Sequence, residues 1–261
     1  GVQTCALPIH GMLQPGTPFM DGVTGVSQCG ISVGSEMVYE FEATPAGTHW
    51  YHSHSGVQYV DGQEGPLIVH PRKDDNDIPD WEKTIEQEYV LFLSEWSKLT
   101  GGTEYYELKQ GLLEEGGTYG GVMEADVPWP TILLNGKASD NEFEVDYDTP
   151  TRFRLINGGA NYIMNVSVAA PIQMEAVMID PGTYLEPTVL DFISTEIGSR
   201  WDFVVNVPSD VEAGKYPIYV TDLSGENVAS PGYIVVGGGG GNGAVIDDSG
   251  PITTGVSNTV S

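Results

Sequence analysis

The residues best suited to chemistry lie in Gly47-Thr48-His49-Trp50-Tyr51-His52-Ser53-His54-Ser55-Gly56, where His52 and His54 are one residue apart. In an extended strand alternate side chains share a face, so these two imidazoles point the same way and Ser53 points the other. Their Cβ atoms would then stand about 7 Å apart. Imidazole is the commonest protein ligand for copper and zinc, so such a pair can share one ion or each hold one metal of a cluster. His10, His49, His52 and His54 place four of the five histidines within the first 54 residues, with His70 the fifth. A His-x-His pair also suits an exposed strand with no ligand, so its surroundings decide.

Those surroundings read as an all-β chain. In 261 residues there are 34 Gly and 17 Pro with 40% hydrophobic content, a composition of short strands and turns around a buried core. Met37-Val38-Tyr39-Glu40-Phe41-Glu42 alternates as a half-buried strand should. Thr48 to Ser53 predicts the next strand after the Pro45-Ala46-Gly47 turn, and the apolar run Gly65-Pro66-Leu67-Ile68-Val69 predicts a buried third. Further on, strands are expected at 88–96, 131–137, 151–157, 200–205, 215–220 and 232–236. In the third of these, Phe153 and Leu155 alternate with Arg152 and Arg154, predicting one buried and one solvated face. Residues 97–128 read as a long loop with a short helix near 105–113.

Ten Lys and Arg stand against 37 Asp and Glu, for a net charge of −27. So negative a surface repels phosphate backbones and anionic lipid, which argues against nucleic-acid partners. No run of apolar residues is long enough for a membrane-spanning helix.

His10-Gly11, Asp21-Gly22, Gln28-Cys29 and Trp50-Tyr51-His52-Ser53-His54-Ser55-Gly56 fall in the order and at the intervals of the first copper-binding region of multicopper oxidases, and the last stretch most resembles laccase-like members. The resemblance implies tandem cupredoxin-like Greek-key β-sandwiches, the first incomplete. It implies that His10, His52 and His54 are type 3 copper ligands of a trinuclear type 2/type 3 cluster. The family's type 2 ligand would fall at residue 8, where this chain has Pro8. Asp21 matches an acidic residue that assists proton delivery during O₂ reduction, although Asp-Gly is equally a turn signal. Cys29 matches a cysteine that pairs with a distant segment. His49 is outside the family's ligand set and suggests a structural role or one supporting the ligands from behind, while His70 suggests a surface one.

Residues 1–9 resemble translated sequencing adaptor, leaving 10–72 as the C-terminal part of the first domain. Residues 73–83 are expected to be a linker, 84–236 the second domain and 237–261 a Gly-rich tether toward a third. That third domain would carry the type 1 copper. The expectation is a fragment of a secreted, copper-dependent oxidoreductase. Its intact parent would oxidise phenols, aromatic amines or metal ions and reduce O₂ to water, while the 261 residues alone would be inactive. Two other classes fit less well. One is a non-catalytic copper-binding extracellular protein; the other, a zinc hydrolase using His52 and His54, lacks an acidic ligand at suitable spacing and a clear general base. Asn165-Val166-Ser167 is a glycosylation sequon within an expected strand.

Overall fold

The structure, a computed structural model, describes residues 8–72, 74–75, 77–96 and 130–237. The helix expected near 105–113 and all of the tether after Gly237 lie outside these residues. Among the described residues there is no α-helix, only strands and two short 3-10 turns, at Pro18–Met20 and Asp80–Thr84.

Three strands, β1 (Ile9–His10), β2 (Gly47–His52) and β3 (Glu64–Val69), form an antiparallel sheet with β2 central. From Gln87 on, the described chain forms a sandwich. Its strands are β4 (Gln87–Trp96), β5 (Thr131–Leu134), β6 (Asn141–Val145), β7 (Thr151–Asn157), β8 (Met164–Val168), β9 (Met174–Ile179), β10 (Tyr184–Leu190), β11 (Ile193–Thr195), β12 (Arg200–Val205), β13 (Gly214–Thr221) and β14 (Val228–Val236). Six of them form a sheet in the order β10-β9-β12-β7-β4-β5 and five form another in the order β11-β8-β13-β14-β6. Most neighbours are antiparallel, but β4 with β7 and β14 with β6 run parallel.

The sandwich follows from its side-chain patterns. In β6, Phe143 and Val145 turn inward while Glu142 and Glu144 face out. Phe153 of β7 stacks on Phe203 of β12 at 5.3 Å, and both pack with Leu155, Val166, Ile218 and Ile234 between the sheets. Asn135 and Gly136 both take positive φ in the turn after β5, a conformation these two residues tolerate best. The Asn135 amide then donates to Val90 O and its carbonyl accepts from Phe92 N, closing unpaired groups of β4.

Three local expectations fail. Met37–Glu42 forms no strand: the alternation is present, but no neighbouring segment pairs with it. The apolar run in β3 is mostly half-buried rather than buried, because β3 is an edge of its sheet. Arg152 and Arg154 are not solvated; they are 1% and 0% exposed. The face they occupy is covered by β2 and by acidic partners. Arg154 donates to Asp202 Oδ2 at 2.9 Å, to Thr48 Oγ1 at 3.0 Å and to Glu88 Oε2 at 2.9 Å. Thr48 in turn donates to Asp202 Oδ1 at 2.6 Å. Arg152 pairs with Glu82 and lies over the Trp81 ring at 5.3 Å, so residues in the expected linker dock onto the sandwich.

Candidate metal centre

β2 is regular from Gly47 to His52, so its side chains divide cleanly between two faces. Thr48, Trp50 and His52 turn toward the sandwich, while His49 and Tyr51 turn away. Trp50 is 1% exposed and donates its indole N–H to Gly198 O at 3.2 Å. β1 lies beside β2 with His10 opposite Trp50. The rings of His10 and Trp50 stack at 4.6 Å, those of Trp50 and His52 also at 4.6 Å, and those of His10 and His52 at 4.8 Å. His54, just past the strand end, brings its ring to 4.4 Å from that of His52.

All three residues expected as ligands are therefore brought together. One ring nitrogen from each of His10, His52 and His54 can be chosen so that all three lie within 4.8 Å of one another. The His52 Nδ1–H faces Ser53 O at 3.0 Å, which leaves Nε2 with its lone pair free. His10 Nε2 is buried and has no hydrogen-bond partner. A buried polar atom without a partner is costly unless something else satisfies it, and a metal ion would. Burial, then the neighbouring His52, Arg200 and His54, push the His10 imidazole down to about 4. Burial similarly lowers His52. Neutral imidazoles are the ligating form, and a set of three suits copper or zinc.

Asp21 does not join this group. Its carboxylate accepts from Val23 N at 3.1 Å and from the Ser27 hydroxyl, and these bonds hold it below the usual carboxylate range. His49 faces away from His52 with both ring nitrogens on backbone carbonyls. His70 is exposed and pairs with Glu88 at 3.3 Å. Cys29 is exposed and unpaired as a thiol. Asn165 is only 9% exposed, which makes the sequon a poor acceptor.

Several residues of the site carry little signal in sequence. Tyr59 packs on the His52 ring at 4.2 Å and donates to Gly158 O of the sandwich at 2.7 Å. Burial, then Glu64 and Glu95, raise its phenol. Arg200 reaches from β12 to Thr48 O at 3.2 Å. No local pattern in the sequence flags either of them.

Glu64 is the cross-strand partner of His52. Burial, opposed by a hydrogen bond from Ser94 and assisted by Glu95, pushes its carboxyl up to about 8. The folded state thus holds this proton more tightly than the unfolded chain, so the contribution is full below pH about 4.5 and lost as pH rises through about 8. Glu64→Gln is expected to match the wild type at pH 5 and to exceed it by about 2 kcal/mol at pH 9, after allowance for partial solvent access. Thermal midpoints of both proteins at the two pH values check this.

Two sequence profiles described as multicopper oxidase match the chain, at residues 2–74 and 87–237. An iron transport multicopper oxidase FET3 of Gibberella zeae is 32% identical over 218 residues, covering 84% of this chain and 32% of that protein. A laccase of Arthroderma benhamiae is 28% identical over 240 residues, covering 87% and 34%. The chain thus spans about a third of the length of these curated relatives. Among solved structures, the multicopper oxidase Fet3p, described as functioning in iron import, superposes with a TM-score of 0.72 at 26% identity over 90% of this chain and 42% of that one. The laccase of Botrytis aclada superposes with a TM-score of 0.73 at 22% identity over 97% and 46%, a likeness of fold. The order of the histidine motifs, the cupredoxin-like sandwich and both profile matches agree: this chain belongs to the multicopper oxidase family.

Proposed function

We propose that this chain supplies His10, His52 and His54 to the copper cluster of a laccase- or ferroxidase-like enzyme. That enzyme couples one-electron oxidation of phenols, aromatic amines or metal ions to reduction of O₂ to water. The observation that carries this reading is the convergence of three ring nitrogens within 4.8 Å around the buried, unpartnered His10 Nε2. Copper, when bound, supplies the one-electron chemistry and the site of O₂ reduction. The protein's own part is positional. β2 and β1 hold His52 and His10 next to each other and against the Trp50 ring, and Tyr59 packs on His52. Reduction of O₂ consumes protons, and Asp21 is assigned to their delivery. That assignment rests on the family match: the Asp21 carboxylate accepts from Ser27 and Val23 and stands apart from the three ring nitrogens.

The type 1 centre of the family needs a Cys thiolate with histidines, and this chain has only Cys5, Cys29 and five histidines in all. The 261 residues alone are therefore expected to bind metal without turning over substrate. The parent enzyme is assigned to the extracellular side.

Titration of the purified chain with Cu(II) against a competing chelator tests the reading. His52→Ala and His10→Ala should each weaken binding by about a hundredfold or more, since even residues that merely support a ligand cost 10–100-fold. His70→Ala should leave it unchanged. Equal affinity in the wild type and His52→Ala would refute the assignment.

A further inference from the structure

His49 has a place in this site that neither its exclusion from the ligand set nor the family match explains. It is 0% exposed, and its ring lies between two backbone carbonyls: Nδ1 is 3.1 Å from His10 O and Nε2 is 2.9 Å from Pro45 O. His10 sits on β1, which is only two residues long and pairs with β2 at two positions. So short a ladder holds a side chain weakly, yet His10 Nε2 must sit at a fixed depth to meet His52 and His54. The residues that follow β1 are tied to the same neighbourhood, with Leu13 N donating to Thr44 O at 3.0 Å. Gly11 lies close against the sandwich, since a Cβ there would come within 2.4 Å of Pro181 Cγ and 2.6 Å of an Arg200 nitrogen.

We propose that His49 is a positioning residue for His10: in the tautomer with its proton on Nδ1, the ring donates that N–H to His10 O and ties β1 to β2 so that His10 reaches the metal. The inference rests on the assignment of His10, His52 and His54 as ligands. It concerns the opposite face of β2 and the backbone of the ligand rather than its ring.

The geometry separates two conservative replacements. An Asn amide nitrogen stands where Nδ1 stands and can still reach His10 O, whereas a Gln amide nitrogen stands nearer Nε2 and cannot. Cu(II) affinity of the full chain, measured by chelator competition, should fall about tenfold in His49→Leu and His49→Gln and stay within about twofold of wild type in His49→Asn. In a His10→Ala background the same three changes should have no further effect. A loss of the same size in both backgrounds, or Asn behaving like Leu, would make His49 a general packing residue and overturn the proposal. If the wild-type chain binds no copper, the ligand assignment itself fails, which is a different outcome. Ring nitrogen shifts of the metal-free wild type, read by NMR, give a check that needs no variant: a protonated Nδ1 on His49 supports the proposal, and an unprotonated Nδ1 overturns it.

Discussion

Arg154→Met is expected to destabilise the protein by about 3–5 kcal/mol, the usual result of removing one partner from a buried ion pair. Arg154 is fully buried and its guanidinium answers Asp202, Glu88 and Thr48 together. Burial pushes the Asp202 carboxyl upward, and Arg154 and then Arg152 pull it back. Methionine fills similar volume but leaves Asp202, 1% exposed, with the neutral Thr48 hydroxyl at 2.6 Å and Arg152 as its remaining ion-pair partner, at 4.0 Å. Most of the loss is thus the cost of an uncompensated charge. It should shrink as pH falls, because a protonated Asp202 carries none. The double variant Arg154→Met/Asp202→Leu should recover most of the stability, since a well-packed apolar pair often equals a buried ionic one. Thermal midpoints of the two variants at pH 5 and pH 8 test both statements. A double variant no better than Arg154→Met would show that the pair contributes by more than mutual neutralisation.

That network also marks where sequence reading stops. The strands at 88–96, 151–157 and 200–205 were legible because their apolar runs are long and bounded by turn residues. The histidine triad was legible because His52 and His54 share a strand face and His10 stands at a familiar interval. Arg152 and Arg154 were misread because alternation of charged and apolar residues reports two faces without saying what covers them. Here one face meets the core of the sandwich, and the other meets Thr48, Glu82 and Glu88, from 66 to 106 positions away in the chain. Such pairings depend on topology, which local pattern does not carry. Met37–Glu42 fails for the same reason in reverse, since a strand-like pattern forms no strand without a neighbour. Tyr59 and Arg200 were invisible as site residues because their roles exist only once the two sheets meet.

Trp50→Ala should cost about 3–5 kcal/mol, the range for removing a large buried aromatic. For a chain of this size that corresponds to a fall of roughly 10 °C in thermal midpoint. The ring is stacked on both His10 and His52, tilts against Tyr59 and Phe92 at 5.8 and 6.1 Å, and its N–H is bonded to Gly198 O. Removing it deletes the body that holds two of the proposed ligands in place, so Cu(II) affinity should fall along with stability. Trp50→Phe separates the two contributions. It keeps an apolar ring in the stack but loses the hydrogen bond, and is expected to retain most of the affinity at a cost of about 1 kcal/mol. A Trp50→Ala protein with unchanged copper affinity would remove the ring from any part in arranging the ligands.

The surroundings of Trp50 have a consequence for the order of assembly. In its buried apolar cluster, Trp50 is joined by Phe92 of β4 and Ile156 of β7, so the face of β2 that carries His52 is completed by strands of the sandwich. The sandwich has a large core built from its own two sheets and can form first. The three-stranded sheet then has a surface on which to condense, with Thr48 finding Arg154 and Asp202, and Gly47 closing on Pro181, where a Cβ would come within 2.7 Å of Cα. The histidines are accordingly expected to be gathered late in folding, and the capacity to take up copper should appear only after the sandwich has acquired its protection against hydrogen exchange.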